Sequence, residues 1–241
     1  TYNREHTIIR ALTSIRNQTY KNVQLVVVDG GSTDNTIDLI SGLMSSNDYL
    51  HSGPDNGIYD ALNKGLELAS GDILAFLHSD DLYFDENVLS HVADVFLDDD
   101  IDIVYGDVCF FTEMNENHIY RRYKSDLLSF KNLSWGKMPA HPAIFCRREV
   151  FEEVGQFKSD YKIAADYEFL CRLVRRTNFK SQYVNKIFVK MQSGGASKIG
   201  LKNTLLLNQE VYRAIKSNGI YTNYFMILSK YLTKSIQFLK I

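Results

Sequence analysis

Carboxylates at the ends of apolar runs are the first chemistry this sequence offers. Asp29 follows VQLVVV (Val23–Val28), and Asp80 with Asp81 follows ILAFLH (Ile73–His78). Short continuous runs rich in branched residues are expected of strands buried on both faces of a parallel sheet. The spacing therefore predicts acids gathered at the carboxyl edge of one sheet. Carboxylates crowded there repel one another unless a cation lies between them. A hard divalent ion resolves that cost, because magnesium and manganese favour carboxylate and phosphate oxygens and need only one or two protein carboxylates alongside waters. The alternative for Asp29 or Asp80 taken singly is a helix cap.

The elements that must hold these acids are legible from periodicity. Between the two runs, Ile58, Ala61, Leu62, Gly65, Leu66 and Ala69 recur at three-and-four spacing, and Ile37, Ile40 and Met44 do so more briefly, the pattern of crossover helices. Ser32 or Thr33 before Asp34 reads as an N-cap with an acid in the first turn, so the loop Asp29–Ser32 joins a strand's carboxyl end to a helix. Open α/β sheets bind ligands at that junction. Further on, Asn87–Phe96 reads as an amphipathic helix, Ile101–Phe111 as a strand, MPAHP as a fixed turn and Asp166–Arg176 as a helix. The chain opens on polar Thr1, Tyr2 and Asn3 and passes at once into helical spacing (Ile8, Ile9, Leu12, Ile15). A doubly wound sheet normally opens with a strand, so the expectation is a first strand missing by truncation.

Composition narrows the function classes. With 241 residues, 45% hydrophobic and 23% charged, the chain has the profile of a globular domain with a sizeable core. A net charge of −2 and the absence of a recognition motif set nucleic acid aside. Cys109, Cys146 and Cys171 are odd in number and far apart, which indicates neither a disulfide framework nor a zinc site and fits a reducing cytoplasm. No apolar run reaches the roughly 18–20 residues of a spanning helix, and the N-terminus lacks a signal-like segment.

TYNRE, VVVDGGSTDNT, SGPDNGIYDALNKGLELASGD, ILAFLHSDD and AADYEFLCRL follow one another at ordinary spacings. Together they resemble the family 2 glycosyltransferases of the GT-A fold, particularly bacterial enzymes that build surface polysaccharides such as O-antigen or capsule. The resemblance covers residues 1–197. It implies an α/β fold with a Rossmann-like, mostly parallel sheet flanked by helices, here without its first strand, and a UDP-sugar donor. Thr1 and Tyr2 would touch the uracil, Asp29 would accept hydrogen bonds from base or ribose, and Asp55 and Lys64 would line the nucleotide site. The family's D-x-D motif maps onto His78-Ser79-Asp80. Asp80 becomes the ligand of a Mn2+ or Mg2+ ion on the diphosphate, with Ser79 beside it at the donor site. His78 replaces the first aspartate of that motif and contacts ribose or diphosphate, or is simply a strand-end histidine bonded to backbone. Asp81 faces the other way along the strand and is read as capping the next helix.

Asp166 corresponds to the family's catalytic base. An inverting transfer needs one carboxylate to take the acceptor hydroxyl's proton as it attacks the anomeric carbon. The leaving UDP needs charge stabilisation rather than protonation, so a hydrolase-like carboxylate pair is not required. Glu168 is the second candidate. His141, within MPAHPAIFCRREVFEEVGQF, falls on the acceptor side, and Trp135 either stacks on a sugar or packs locally. Ser193–Ser197 resembles a late GG-x-S stretch whose glycines admit a diphosphate, or is a plain loop. Asp98–Asp100 reads as a solvated turn, and Arg121–Arg122 and Arg175–Arg176 as surface charge.

From residue 198 to 241 seven basic residues face Glu210 alone, a charge of +6, which leaves −8 on residues 1–197. Two amphipathic patterns occupy this tail: Leu201, Leu205 and Tyr212, then Tyr224, Phe225, Leu228, Tyr231, Leu232 and Leu239. The second either lies on an anionic membrane surface, or packs on the catalytic domain or a second subunit in a homodimer. The sequence thus reads as a GT-A domain (1–197) with a basic helical tail (198–241). Its expected function is an inverting, metal-dependent transfer of a hexose or N-acetylhexosamine from a UDP-sugar to a glycan acceptor, lipid-linked, at the inner face of the cytoplasmic membrane. A sugar nucleotidyltransferase would want a G-x-G-T-R-like loop where this chain has TYNRE. A non-catalytic nucleotide or sugar binder is prompted by His78 and the absent strand, and opposed by Asp166.

Overall fold

The computed structural model describes residues 1–112, 115–125, 128–176, 178–193 and 200–237, with backbone alone at 201 and 232–237. The first half runs α1 (Ile8–Arg16), β1 (Val26–Asp29), α2 (Thr36–Ser41), β2 (Tyr49–Ser52), α3 (Ile58–Leu68) and β3 (Ile73–Ala75). β1 and β2 pair in parallel, from Val26 opposite Tyr49 to Asp29 opposite Ser52. The second half runs β4 (Leu82–Tyr83), α4 (Val88–Val95), β5 (Ile103–Thr112), β6 (Asn115–Tyr123), α5 (Phe130–Ser134), β7 (Ile144–Arg147), α6 (Arg148–Val154), α7 (Ala165–Leu173) and β8 (Ser181–Gln192). Together with β3 these strands form a sheet of order β3-β7-β5-β8-β4, with β6 on β5.

The architecture is the expected α/β one, and its larger sheet is mixed. β5 and β8 run parallel, whereas β7 is antiparallel to both β3 and β5. The central strand β5 is buried from Ile103 through Cys109, as its apolar run requires. Gly106 lies there beneath Phe188: a Cβ at this position would come within 2.5 Å of the ring, so only glycine lets β5 and β8 close. Cys109, Cys146 and Cys171 are buried free thiols.

Among the described residues no strand lies between β1 and β3. Val26 and Val28 of β1, Leu74 and Ala75 of β3, Leu12 of α1 and Leu66 of α3 instead line an apolar slot. Thr1 enters at the carboxyl end of β1, where its amino group donates to the Val28 carbonyl (2.6 Å) and the Gly30 amide donates to the Thr1 carbonyl (2.8 Å).

The tail forms α8 (Leu201–Ser217) and α9 (Tyr224–Gln237). Val211, Ala214, Ile215, Ile220 and Ile227 join the same core as Tyr105, Leu133, Ile144, Leu170 and Leu173. Ile215 and Ile227 are fully buried, each worth about 1.5–3 kcal/mol relative to exposure. The tail is therefore built into the fold. Its buried face is not the one the spacing suggested, since Leu205 is 65% exposed. The expected boundary at 197–198, the glycines of Ser193–Ser197 and Leu239 lie outside the described residues. No helix among the described residues is long and apolar enough to cross a membrane.

Three local expectations are corrected. Helix α2 starts at Thr36 with Asn35 as N-cap, because the Ser32 hydroxyl turns to Asp29 and the Asp34 carboxylate takes the Thr36 amide (3.0 Å). Asp81 caps no helix, since β4 follows it. The arginine pairs are not free surface charge: Arg122 meets the buried Asp107, and Arg176 bridges Asp102 and Glu153.

Candidate active site

The apolar slot opens at its carboxyl end into a polar wall, and the two make one cleft of about 2440 Å3. Thr1, Tyr2, Asp55, His78, Ser79, Asp80, His141 and Asp166 all line it. Asp29, Lys64 and Trp135, expected there as well, do not.

Asp29 is fully buried under its own loop. Its Oδ2 accepts from the Gly31 amide (2.9 Å), the Ser32 amide (2.8 Å) and the Ser52 hydroxyl (2.8 Å), an Asx turn fixed from both sides. Burial pushes its pKa up, and the bonds from Ser32, Ser52 and Gly31 outweigh it, holding the carboxyl below its usual value. Asp29 thus shapes the loop at the carboxyl end of β1. The loop in turn admits Asp55, whose Oδ2 would stand 2.7 Å from a Cβ at Gly30. Lys64 donates to the Pro54 carbonyl (3.0 Å) and pairs with Asp60 (3.1 Å), so it steadies the Asp55 loop from behind. Trp135 closes α5 as its C-cap.

At the end of β3 the chain leaves the sheet and turns, the Asp81 amide donating to the His78 carbonyl (3.0 Å). The His78 and His141 rings lie 6.0 Å apart, and His141 stacks on Phe76 at 5.3 Å. Burial, then the neighbouring His141, lowers the His78 pKa to about 4, although Asp80 and Asp166 pull the other way. Burial alone takes His141 to about 4. Neither imidazole therefore brings positive charge to the wall at neutral pH. Asp81 is 2% exposed, its Oδ2 has no hydrogen-bond partner, and burial followed by the charge of Asp80 raises its pKa well above the ordinary value. Two adjacent carboxyls, one with an orphaned oxygen and neither faced by an imidazolium, suit a magnesium or manganese ion that completes its shell with phosphate oxygens and water. No cluster of three or more metal-ligating side chains occurs among the described residues.

Asp166 stands in the first turn of α7. Its Oδ1 accepts from the Tyr167 amide (2.8 Å) and the Tyr59 hydroxyl (3.1 Å). Burial raises its pKa, and the Tyr167 and Tyr59 bonds only partly offset that. A half-buried carboxyl with a raised pKa on a cleft wall is the form a general base takes. Glu168, two residues on, is fully buried and bonded to Lys158 (2.7 Å), Arg172 (2.9 Å) and Asn218 (3.3 Å). It faces no cleft, which removes it as an alternative base.

Tyr59 was not singled out by the sequence reading, yet it is buried in α3 and its hydroxyl meets both Asp166 and the Ile163 carbonyl (2.7 Å). The signal available was a tyrosine at the start of a helix within a run already picked out. Because the Tyr59 bond lowers the Asp166 pKa, Tyr59→Phe is expected to move the acid limb of the rate profile to higher pH. The neutral-pH rate should fall within about tenfold, the scale of one hydrogen bond. A pH profile of turnover checks this, and an unmoved acid limb contradicts it.

Residues 1–180 match the profile of a sequence family described as Glycosyl transferase family 2. A PGL/p-HBAD biosynthesis glycosyltransferase of Mycobacterium bovis is 33% identical over 201 residues, which is 81% of this chain and 73% of the relative. The fold is similar to that of Staphylococcus aureus TarS 1-349 in complex with UDP-GlcNAc, with a TM-score of 0.66, 18% identity, and coverage of 89% of this chain and 64% of the other. It is similar too to the mannosyltransferase PcManGT of Pyrobaculum calidifontis in complex with GDP-Man and Mn2+, with a TM-score of 0.66, 17% identity, and coverage of 92% and 63%. The chain thus spans a little under two thirds of these two structures.

Proposed function

The chain belongs to glycosyl transferase family 2 and is a glycosyltransferase, and on that premise we propose that it moves a hexose or N-acetylhexosamine from a UDP-sugar, with inversion, to a glycan acceptor. The observation that carries this reading is Asp166: a carboxyl with a raised pKa, oriented by Tyr59, on the same wall as His78 and Asp80.

The nucleotide lies along Thr1, Tyr2 and Asp55, and its diphosphate reaches Ser79 and Asp80. Asp80, with Asp81 beside it, would hold the divalent ion. When bound, that ion supplies positive charge to the diphosphate as it leaves. Neutral His78 is left to donate or accept a single hydrogen bond with ribose or diphosphate. Asp166 keeps Oδ1 on Tyr59 and the Tyr167 amide, and Oδ2 takes the proton of the acceptor hydroxyl. The acceptor oxygen forms its bond to the anomeric carbon from the opposite face, the carbon–phosphate-oxygen bond breaks, and the electron pair leaves with UDP. His141, whose buried Nε2 has no hydrogen-bond partner, is assigned to the acceptor side.

A lipid-linked acceptor is supported by the outer face of the tail. Tyr221, Tyr224, Phe225 and Leu228 are 72%, 50%, 78% and 47% exposed, in a segment of strongly basic charge that suits an anionic membrane surface. Peripheral association at the inner face of the membrane belongs to the same proposal.

The test is UDP release from UDP-glucose, UDP-galactose and UDP-N-acetylglucosamine, with GDP-mannose in parallel, in manganese and in chelator. Manganese-dependent release from at least one UDP-sugar is expected. Preferential use of GDP-mannose, the nucleotide sugar in the PcManGT complex, overturns the donor assignment.

A further inference from the structure

The tail's acid, Glu210, does not face water. It is 6% exposed on α8, and its carboxylate reaches back across the chain. Oε1 accepts from the Lys162 amide (2.8 Å), and Oε2 accepts from the amides of Ile163 (2.9 Å) and Ala164 (2.9 Å). These three amides immediately precede α7. The last of them belongs to Ala164, the N-cap of that helix, which has no side chain able to cap it, so Glu210 supplies from elsewhere an acceptor for this end of the helix and for the two amides leading into it. A carboxylate suits the task, since it can accept on both oxygens and its charge is favourable at a helix N-terminus. The opposite side of the same segment is gripped by Tyr59, through the Ile163 carbonyl and Asp166. Residues 162–164 and Asp166 all line the cleft.

We propose that Glu210 is a positioning residue for the transfer, holding the 162–164 segment so that Asp166 meets the acceptor hydroxyl at a fixed place. This rests on Asp166 being the base. The tail is then part of the catalytic apparatus rather than an appendage: α8 clamps the base-bearing segment from one side while α3 clamps it from the other.

The experiment compares full-length wild type, Glu210→Gln and Glu210→Ala by hydrogen exchange of the amides at 162–164 and by kcat and KM for manganese-dependent UDP release from UDP-sugars. Glu210→Gln keeps one accepting oxygen and Glu210→Ala keeps none. Exchange at 162–164 is expected to quicken at least tenfold in the glutamine variant and further in the alanine variant, with β5 and β8 unchanged. kcat should fall at least tenfold in the glutamine variant while the donor KM stays within twofold. Wild-type exchange at 162–164 in a folded Glu210→Gln overturns the proposal, as does a wild-type kcat. If the alanine variant does not fold, the glutamine variant decides. Asp166→Asn is measured alongside. Retained turnover there removes the base reading and the positioning role together, whereas its loss with an unaffected Glu210→Gln removes the positioning role alone.

Discussion

Asp166→Asn is expected to lower sugar transfer by about 100- to 10,000-fold, the range a positioned general base contributes, with UDP affinity within twofold of wild type. Asparagine fills the same space and can still accept from the Tyr59 hydroxyl and the Tyr167 amide through its carbonyl oxygen. What it lacks is a basic oxygen for the acceptor's proton. The variant also removes a buried group whose pKa is raised by desolvation, so folding should not suffer. Steady-state transfer and UDP titration on the same preparation check both halves. Unchanged transfer would remove the base assignment.

Glu168→Ala is expected to do the reverse. Glu168 is fully buried and joins Lys158, Arg172 and Asn218, tying α7 to the segment before it and to the tail. Removing one partner of a buried pair costs about 3–5 kcal/mol. The low end applies here, because Arg172 keeps the carbonyls of Val154, Gly155 and Gln156 and Lys158 is half exposed. For a chain of this length about 3 kcal/mol corresponds to a fall in Tm of roughly 6–12 °C. Thermal unfolding measures it. A wild-type Tm accompanied by lost turnover would return Glu168 to the catalytic candidates.

These two acids sit two residues apart on one helix, and their contrast shows what the sequence could and could not say. Asp166 and Asp80 were legible because each lies in a local run whose spacing survives in one dimension. How Asp166 and Glu168 are each held was not, because it depends on which side of α7 faces the cleft and which faces Asn218, 50 residues away. Tyr59 and Glu210 escaped for the same reason: their partners lie 107 and 46 to 48 residues distant. The bond that Ser52 gives Asp29 was hidden too, since nothing in DGGS reveals a partner 23 residues away. Strand direction was hidden as well. Ile144, Phe145 and Cys146 are all buried, so their short apolar run reads alike whether its neighbour is parallel or antiparallel.

The tail shows a related limit. Its amphipathic spacing was real, yet helical periodicity alone does not say which face meets protein. Asn208, Glu210 and Val211 turned inward while Leu205 stayed out. The inward polar groups have partners: Asn208 reaches Tyr231, and Glu210 the amides before α7.

The central claim is a UDP-binding cleft whose diphosphate end is completed by a divalent ion on Asp80, and calorimetric titration of UDP in manganese and in chelator tests it most directly. The predicted result is binding in manganese that weakens at least tenfold in chelator and likewise in Asp80→Ala, with Glu168 and Asp166 intact. Binding that is equal in manganese and chelator and indifferent to Asp80, or no binding of UDP in either, would contradict it.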